Sequence, residues 1–529
     1  MNNQSTRFLS FVSMSLFVSL AAVACGDDDD GGGNTGGKAG SSATGGKGGK
    51  PSGGSANVGG DDTGTGLGGQ GANDGIGGQG ANDGIGGSDD GIGGAGGAPA
   101  VQKARLRVVH ASPNAPEVDI YPAGSEVAAA TAVEYGDATD FIEVDAGEIS
   151  FDLRAAGEDA DSEPALTTEP IELEPDTDYT LVAAGDFADL DDEDTGFRIL
   201  PLAHDFDAVP ADTSLARVVH ATSAWETVDV DLTATSGIDL AGVDRFASES
   251  NVAIPADEAL EVAFRSDDDV LSKLTLPELD AGGELFVIAT GNPGFPFRAP
   301  LNGFTLLVVD QDSNVTWVKE QPWLHVVHAS DISTVDIYDS AKTAASAKLT
   351  DDLGAATLAG FQLPASAVGY TLKAVADDAS NGAATALATG ATATLQAGEH
   401  YLSIISADTI STIREQFDTS KPTKVILRGV HASESIAPAV DFGAVVSSAL
   451  SSAVISNVLP QAASPEAGVA IDPGNVILGA AATGTTTLLA QATFSGNAAP
   501  VAGERAFILL VGEDGLWRVD TSVAGWALR

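Results

Sequence analysis

From Lys103 to Arg529 the chain is a succession of short apolar runs. Most are four to eight residues long and rich in Val, Ile, Leu, Phe and Tyr, and Pro, Gly, Asp and Asn turns separate them. One run returns four times: Val108-Val109-His110-Ala111-Ser112, Val218-Val219-His220-Ala221-Thr222, Val326-Val327-His328-Ala329-Ser330 and Gly429-Val430-His431-Ala432-Ser433. The spacing is about one hundred residues, the size of a domain rather than of a solenoid repeat. Further runs keep step with the phrase. A second strand lies around Val118-Asp119-Ile120-Tyr121, Val228-Asp229-Val230, Val335-Asp336-Ile337-Tyr338 and Val440-Asp441. A middle strand is expected at 149–153, 260–264, 370–375 and 476–478, a late strand at 179–182, 285–288, 401–404 and 507–510, and a closing hairpin at 305–318. Short strands without a long amphipathic helix predict an all-β chain of four tandem Ig-like β-sandwich domains. Composition shifts near Pro210–Thr213, Gln321–Pro322 and Ser420–Pro422 place them at 103–212, 213–321, 322–420 and 421–529. The uncharged stretch from Phe442 to Pro465 is expected to be an inserted loop or short helix.

The N-terminal quarter has a different texture. Arg7 precedes an apolar stretch, Phe8 to Ala24, which ends in Ala22-Val23-Ala24-Cys25. This resembles a bacterial lipoprotein signal in which Cys25 becomes the lipidated first residue, with Ala22 standing where Leu is usual. A plain cleaved signal and an uncleaved anchor fit less well, because Cys25 is the only cysteine and serines interrupt the apolar stretch. With Cys25 lipidated, no thiol remains for a disulfide, so each domain is expected to rest on its own core. Residues 26–102 are mostly Gly with Asp, Asn, Ser and Thr, the composition of a disordered tether with a root-mean-square span of roughly 45–50 Å. A nine-residue repeat, Gly68 to Ile76 and Gly77 to Ile85, approaches the calcium-binding nonapeptide, but Asn73 stands where the Asp belongs. It reads as low-complexity linker.

With 75 acidic against 25 basic residues the net charge is −50, and the isoelectric point is near 4.1. Such a chain repels nucleic acid and anionic headgroups and gains solubility. The expected partners are the membrane, through the N-terminal lipid, and a surface protein or polysaccharide.

The segment Arg107-Val-Val-His-Ala-Ser-Pro-Asn-Ala-Pro-Glu-Val-Asp-Ile-Tyr121 resembles the opening of the domain-of-unknown-function 4397 family. These are exported bacterial domains, often in tandem. The resemblance implies a β-sandwich fold over most of residues 103 to 529 and an exported address, and assigns no activity.

Strand parity puts His110 on one face with Leu106 and Val108, His220 with Ala216 and Val218, and His328 with Leu324 and Val326. Apolar company at equivalent positions predicts buried, structural imidazoles at His110, His220, His328 and His431. The aspartates Asp119, Asp229, Asp336 and Asp441 are expected to be structural markers as well, with an Arg107–Asp119 pair setting register between neighbouring strands. The acidic loops Asp186 to Asp194 and Asp267-Asp268-Asp269 lack calcium-loop spacing, and Asp310-x-Asp312-x-Asn314 has Gln321 at its twelfth place. All three read as solvated turns, so neither metal nor cofactor is expected. The sequence holds no Gly-x-Ser-x-Gly, phosphate loop or His-Glu-x-x-His.

The expected function is therefore non-enzymatic: a cell-envelope lipoprotein, on the outer membrane or cell surface, serving adhesion, matrix attachment or scaffolding by summing weak contacts over the array. The alternative is a polysaccharide- or small-ligand-binding surface lipoprotein for uptake. Its sign would be an aromatic platform drawn from Trp225, Trp317, Trp323, Trp517 and Trp526.

Overall fold

The His strands are apolar on both faces, and that sets the architecture. In the computed structural model, which describes residues 102–529 except 191, 233–237, 268, 342–347, 377–383, 434–435 and 513–514, they run Lys103–His110, Thr213–His220, Trp323–His328 and Val425–His431. Each pairs in parallel with the late strand of its own repeat: Asp178–Ala184, Glu284–Thr290, His400–Ser406 or Arg505–Val511. That late strand then turns back on an antiparallel neighbour, the closing hairpin. The opposite layer is antiparallel. It pairs the Val-Asp strand (Val118–Pro122, Thr227–Asp231, Val335–Asp339, Val440–Val446) with the middle strand (Phe151–Ala155, Leu260–Ser266, Thr371–Ala376, Val476–Ala482). In the third repeat one parallel pair, Thr389 with Thr409, joins both layers into a single eight-stranded sheet. The chain is all-β: the only helical element among the described residues is the 3-10 turn Gly496–Ala498. No helix among them is long and apolar enough to cross a membrane. The signal, Cys25, the tether and the nonapeptide lie outside the described residues.

Each repeat buries an interior between its two layers. In the first, Leu106 and Val108 meet Ile120, Phe151, Leu153 and Leu181, and each of the other repeats has its own such cluster. Two further clusters cross repeat boundaries. The residues Val109, Ala111 and Val182 of the first repeat, which face away from its own interior, pack on Val219, Phe286 and Ile288 of the second. Val327, Leu402 and Ile404 of the third pack on Val430, Phe507 and Leu509 of the fourth. The expectation that each domain rests on its own core alone is therefore corrected: the repeats are fused in pairs, first to second and third to fourth. The physical reason is the Val-Val doublet. A strand with one wet face would carry a polar residue at one of those two places, whereas one buried on both faces reads as a continuous apolar run.

The stretch from Phe442 also departs from expectation. Val440–Val446 and Ala449–Val458 form a β-hairpin closed at Ser447 and Ser448, both with positive φ, not an inserted loop or helix. Its charge-free composition suits a pleated surface whose alternate residues Val440, Phe442, Ile455 and Val458 enter the core.

Candidate functional site

The four histidines are consumed by structure. His110 Nε2 lies 3.2 Å from Pro116 O, His328 Nε2 3.2 Å from Ser333 O, and His431 Nε2 3.1 Å from Ala437 O. Each ring thereby clamps the loop leading to the second strand. His220 uses its other nitrogen, Nδ1 being 3.2 Å from Val243 O. Burial pulls the imidazoles of His110, His220 and His431 below their ordinary value, so they are neutral pins at neutral pH.

The aspartates anchor a bulge. Opposite each Val-Asp strand the register slips, and a residue of positive φ (Ala132, Gly242, Asp352 or Asn457) turns its amide inward. Asp119, Asp229, Asp336 and Asp441 accept those amides at 2.7, 2.7, 3.1 and 2.8 Å. Asp119 also takes the Gly157 amide at 2.9 Å, and Asp441 the Gly484 amide at 3.1 Å with the Thr483 hydroxyl at 2.8 Å. Burial pushes the Asp441 carboxyl up, but these three bonds outweigh it and hold the group below the usual value. Asp441→Ala leaves the bulge amides unanswered, and we expect it to cost about 2–4 kcal/mol. Urea denaturation at pH 7 would read this; a loss under about 0.5 kcal/mol would refute the anchor.

The expected Arg107–Asp119 pair is absent, because the two residues belong to different layers. Arg107 has the parity of Val109 and enters the seam, where Nη1 donates to Asp310 O at 2.5 Å and Nε to Thr180 Oγ1 at 3.0 Å. Its guanidinium lies 5.5 Å from the Phe286 ring centre. The acidic loops hold turns: Asp192 Oδ1 accepts the amides of Asp194 and Thr195, and Asp310 Oδ1 those of Asp312 and Asn314.

What sequence reasoning missed is a cleft of about 850 Å³ at the mouth of the seam between the third and fourth repeats. The ends of both His phrases line it, Ala329-Ser330 and Ala432-Ser433, together with Ala355, Gln461 and Trp517. At its floor Gln461 Nε2 donates to Ser406 Oγ across the two repeats at 2.8 Å. At the same place in the first seam, loops are bonded to the segment that follows the His strand. The connection Gly185–Phe197 accepts from Ser112 Oγ at Gly185 O (2.7 Å), and Asn302, in the connection Gly291–Phe304, donates to Pro113 O at 2.6 Å. In the third and fourth repeats those connections shrink to residues 407–408 and 512–514. The other tryptophans pack within the protein: Trp225 against Phe264 and Phe304, Trp317 in the first seam, and Trp323 and Trp526 around His325.

No curated protein matches this chain. Among solved structures, the Bacillus anthracis TIE protein is similar at 11% identity over 78% of this chain and 68% of that one, with a TM-score of 0.13. The family model described as "Domain of unknown function (DUF4397)" matches residues 104–231, which span the first repeat and the opening two strands of the second. The first sandwich, with its His clamp and Asp-anchored bulge, is therefore a domain of the unknown-function 4397 family.

Proposed function

We propose that this chain is a non-enzymatic cell-envelope lipoprotein, held by a lipid on Cys25 and a Gly-rich tether, that attaches the cell surface to matrix or scaffolds it. The observation that carries the reading is the pair of apolar seams. They make an array of sandwiches into stiff paired blocks, which suit display and attachment. The chemically capable groups that recur, His and Asp, are engaged in holding strands and bulges. The charge of −50 keeps such a block soluble and away from polyanions. A second reading, a surface lipoprotein binding polysaccharide or a small ligand for uptake, is favoured by the cleft at Trp517.

Cys25→Ser removes the thioether-forming sulfur. We expect the protein to move from the membrane fraction to the soluble fraction or the medium, and cells to lose attachment with it, as read by fractionation and by adhesion to the native matrix. Unchanged partition would refute the lipid anchor. Full attachment by cells lacking the protein would refute the attachment role.

A further inference from the structure

In each repeat the strand after the middle strand lies at the margin of the second layer, and its outer edge is treated differently each time. In the first repeat it is only Leu166–Thr167. In the second it is Asp269–Leu276, which carries Asp269 and Lys273. The chain of the third repeat covers that edge: the Gln321 amide donates to Lys273 O at 2.7 Å, and the Lys273 amide donates to Gln362 Oε1 at 2.8 Å. In the third repeat it is Ala388–Ala391, taken up by the parallel pair of Thr389 with Thr409. Brevity, charge and cover all stop a sheet edge from recruiting another chain. In the fourth repeat the strand is Leu488–Phe494, seven residues long, and it has none of these. One edge pairs with Val476–Ala482. The other takes no strand, and no backbone group of Leu488–Phe494 bonds elsewhere among the described residues. Residues 473–503 hold no charged residue, in a chain of net charge −50. The opposite margin of the same sheet, Ala449–Val458, is uncharged too, but its register slips three times, and such irregular edges recruit poorly. From Ala490 to Phe494 the register is unbroken.

We propose that Leu488–Phe494 is the contact through which two copies of this chain pair, edge to edge and antiparallel about a two-fold axis at Ala492. The charge pattern selects the partner. Two chains of net charge −50 repel over most of their surfaces, and a neutral edge is where a second copy meets least opposition. An axis at Ala492 sets Gln491 of one copy against Thr493 of the other, and Ala490 against Phe494. Gln491 and Thr493 are both exposed, so this pair matches an amide with a hydroxyl on the outer face. Ala490 and Phe494 already belong to the interior of the fourth repeat. Setting the small side chain beside the ring lets the two interiors continue across the axis. A strand pairing of this length makes a small interface, so one contact is weak and a surface carrying many copies sums it. The use of such pairing, joining protein on one surface to protein on the next, rests on the attachment reading above; the pairing itself does not.

The test follows sedimentation of the purified full chain from about 1 to about 300 μM, with Cys25→Ser present so that lipid does not drive association. A dimer whose share grows with concentration is expected. Gln491→Lys combined with Thr493→Lys sets like charges against each other across the axis and should weaken the dimer at least about ten-fold. Gln491→Glu combined with Thr493→Glu should do the same. Both positions are exposed, so circular dichroism should show both double variants folded. An equimolar mixture of the two should pair again, because opposite charges then face each other across the axis. A monomer throughout the range, a dimer that neither double variant weakens, or a mixture that stays monomeric would overturn the assignment. Adhesion to the native matrix tells the two claims apart. A monomeric chain on cells that still attach overturns the pairing alone, and full attachment by cells lacking the protein overturns the role alone.

Discussion

Phe286→Ala is expected to destabilise the block formed by the first two repeats by about 3–5 kcal/mol, the range for deleting a buried phenylalanine side chain. On an independent sandwich this residue would face solvent, since it has the parity opposite to Leu285 and Val287, which fill the interior of the second repeat. Instead it is 1% exposed. Its ring packs on His204 at 4.8 Å and Phe206 at 5.7 Å, both from the segment leading out of the first repeat, and under the Arg107 guanidinium. Truncation opens a void in the seam and leaves Arg107 without that ring face. The loss should appear in urea denaturation as a transition that separates the first two repeats from the last two, because the seam between the third and fourth is untouched. A change under about 1 kcal/mol would mean that the seam contributes nothing and that the repeats act as separate beads.

The first repeat shows how far the sequence alone carries. Parity placed His110 with Leu106 and Val108, and that is where the ring sits, inside its own sandwich. The neighbouring Val109 was equally visible, but its meaning depends on a partner surface about one hundred residues away, which no local pattern encodes. Arg107 was misplaced for the same reason. A charged residue between apolar neighbours suggests a partner within the domain, while its acceptor Asp310 O is a backbone atom of the next repeat. The aspartates were recognisable as structural markers, yet their task depends on positive φ at Ala132, Asp352 and Asn457, residue types that do not announce it. The cleft was hidden most deeply. Its walls come from the third repeat (Ala329, Ser330, Ala355) and the fourth (Ala432, Ser433, Trp517), which only the fold brings together.

Glu320→Gln is expected to stabilise the protein at neutral and alkaline pH and to leave it unchanged near pH 4.5. Glu320 sits where the second repeat passes into the third, 2% exposed. Its Oε1 accepts from Trp323 Nε1 at 2.8 Å, Ser272 Oγ at 2.9 Å and Gln362 Nε2 at 3.1 Å. These donors are neutral, so burial dominates and pushes the carboxyl up to about 8 from 4.5. A group whose pKa rises on folding contributes full stability below its unfolded value and loses it as pH climbs through the folded value. The cost of Glu320 is thus on the order of 3 kcal/mol by pH 7 and ~5 kcal/mol by pH 9. Glutamine keeps the accepting oxygen and supplies an N–H where the protonated acid has its O–H, without the ionisation. His325 bends the profile the other way. Burial between the third and fourth repeats lowers its imidazole to about 3 from 6.5, so its contribution is present above 6.5 and lost as pH falls toward 3. The wild-type optimum should therefore fall between about pH 4.5 and 6.5. In Glu320→Gln the alkaline limb should flatten while the acid limb stays. Unfolding free energies at pH 5, 7 and 9 decide the matter: curves for the two proteins that run parallel across that range would show that Glu320 is ionised in the native fold, and the buried neutral acid would have to be abandoned.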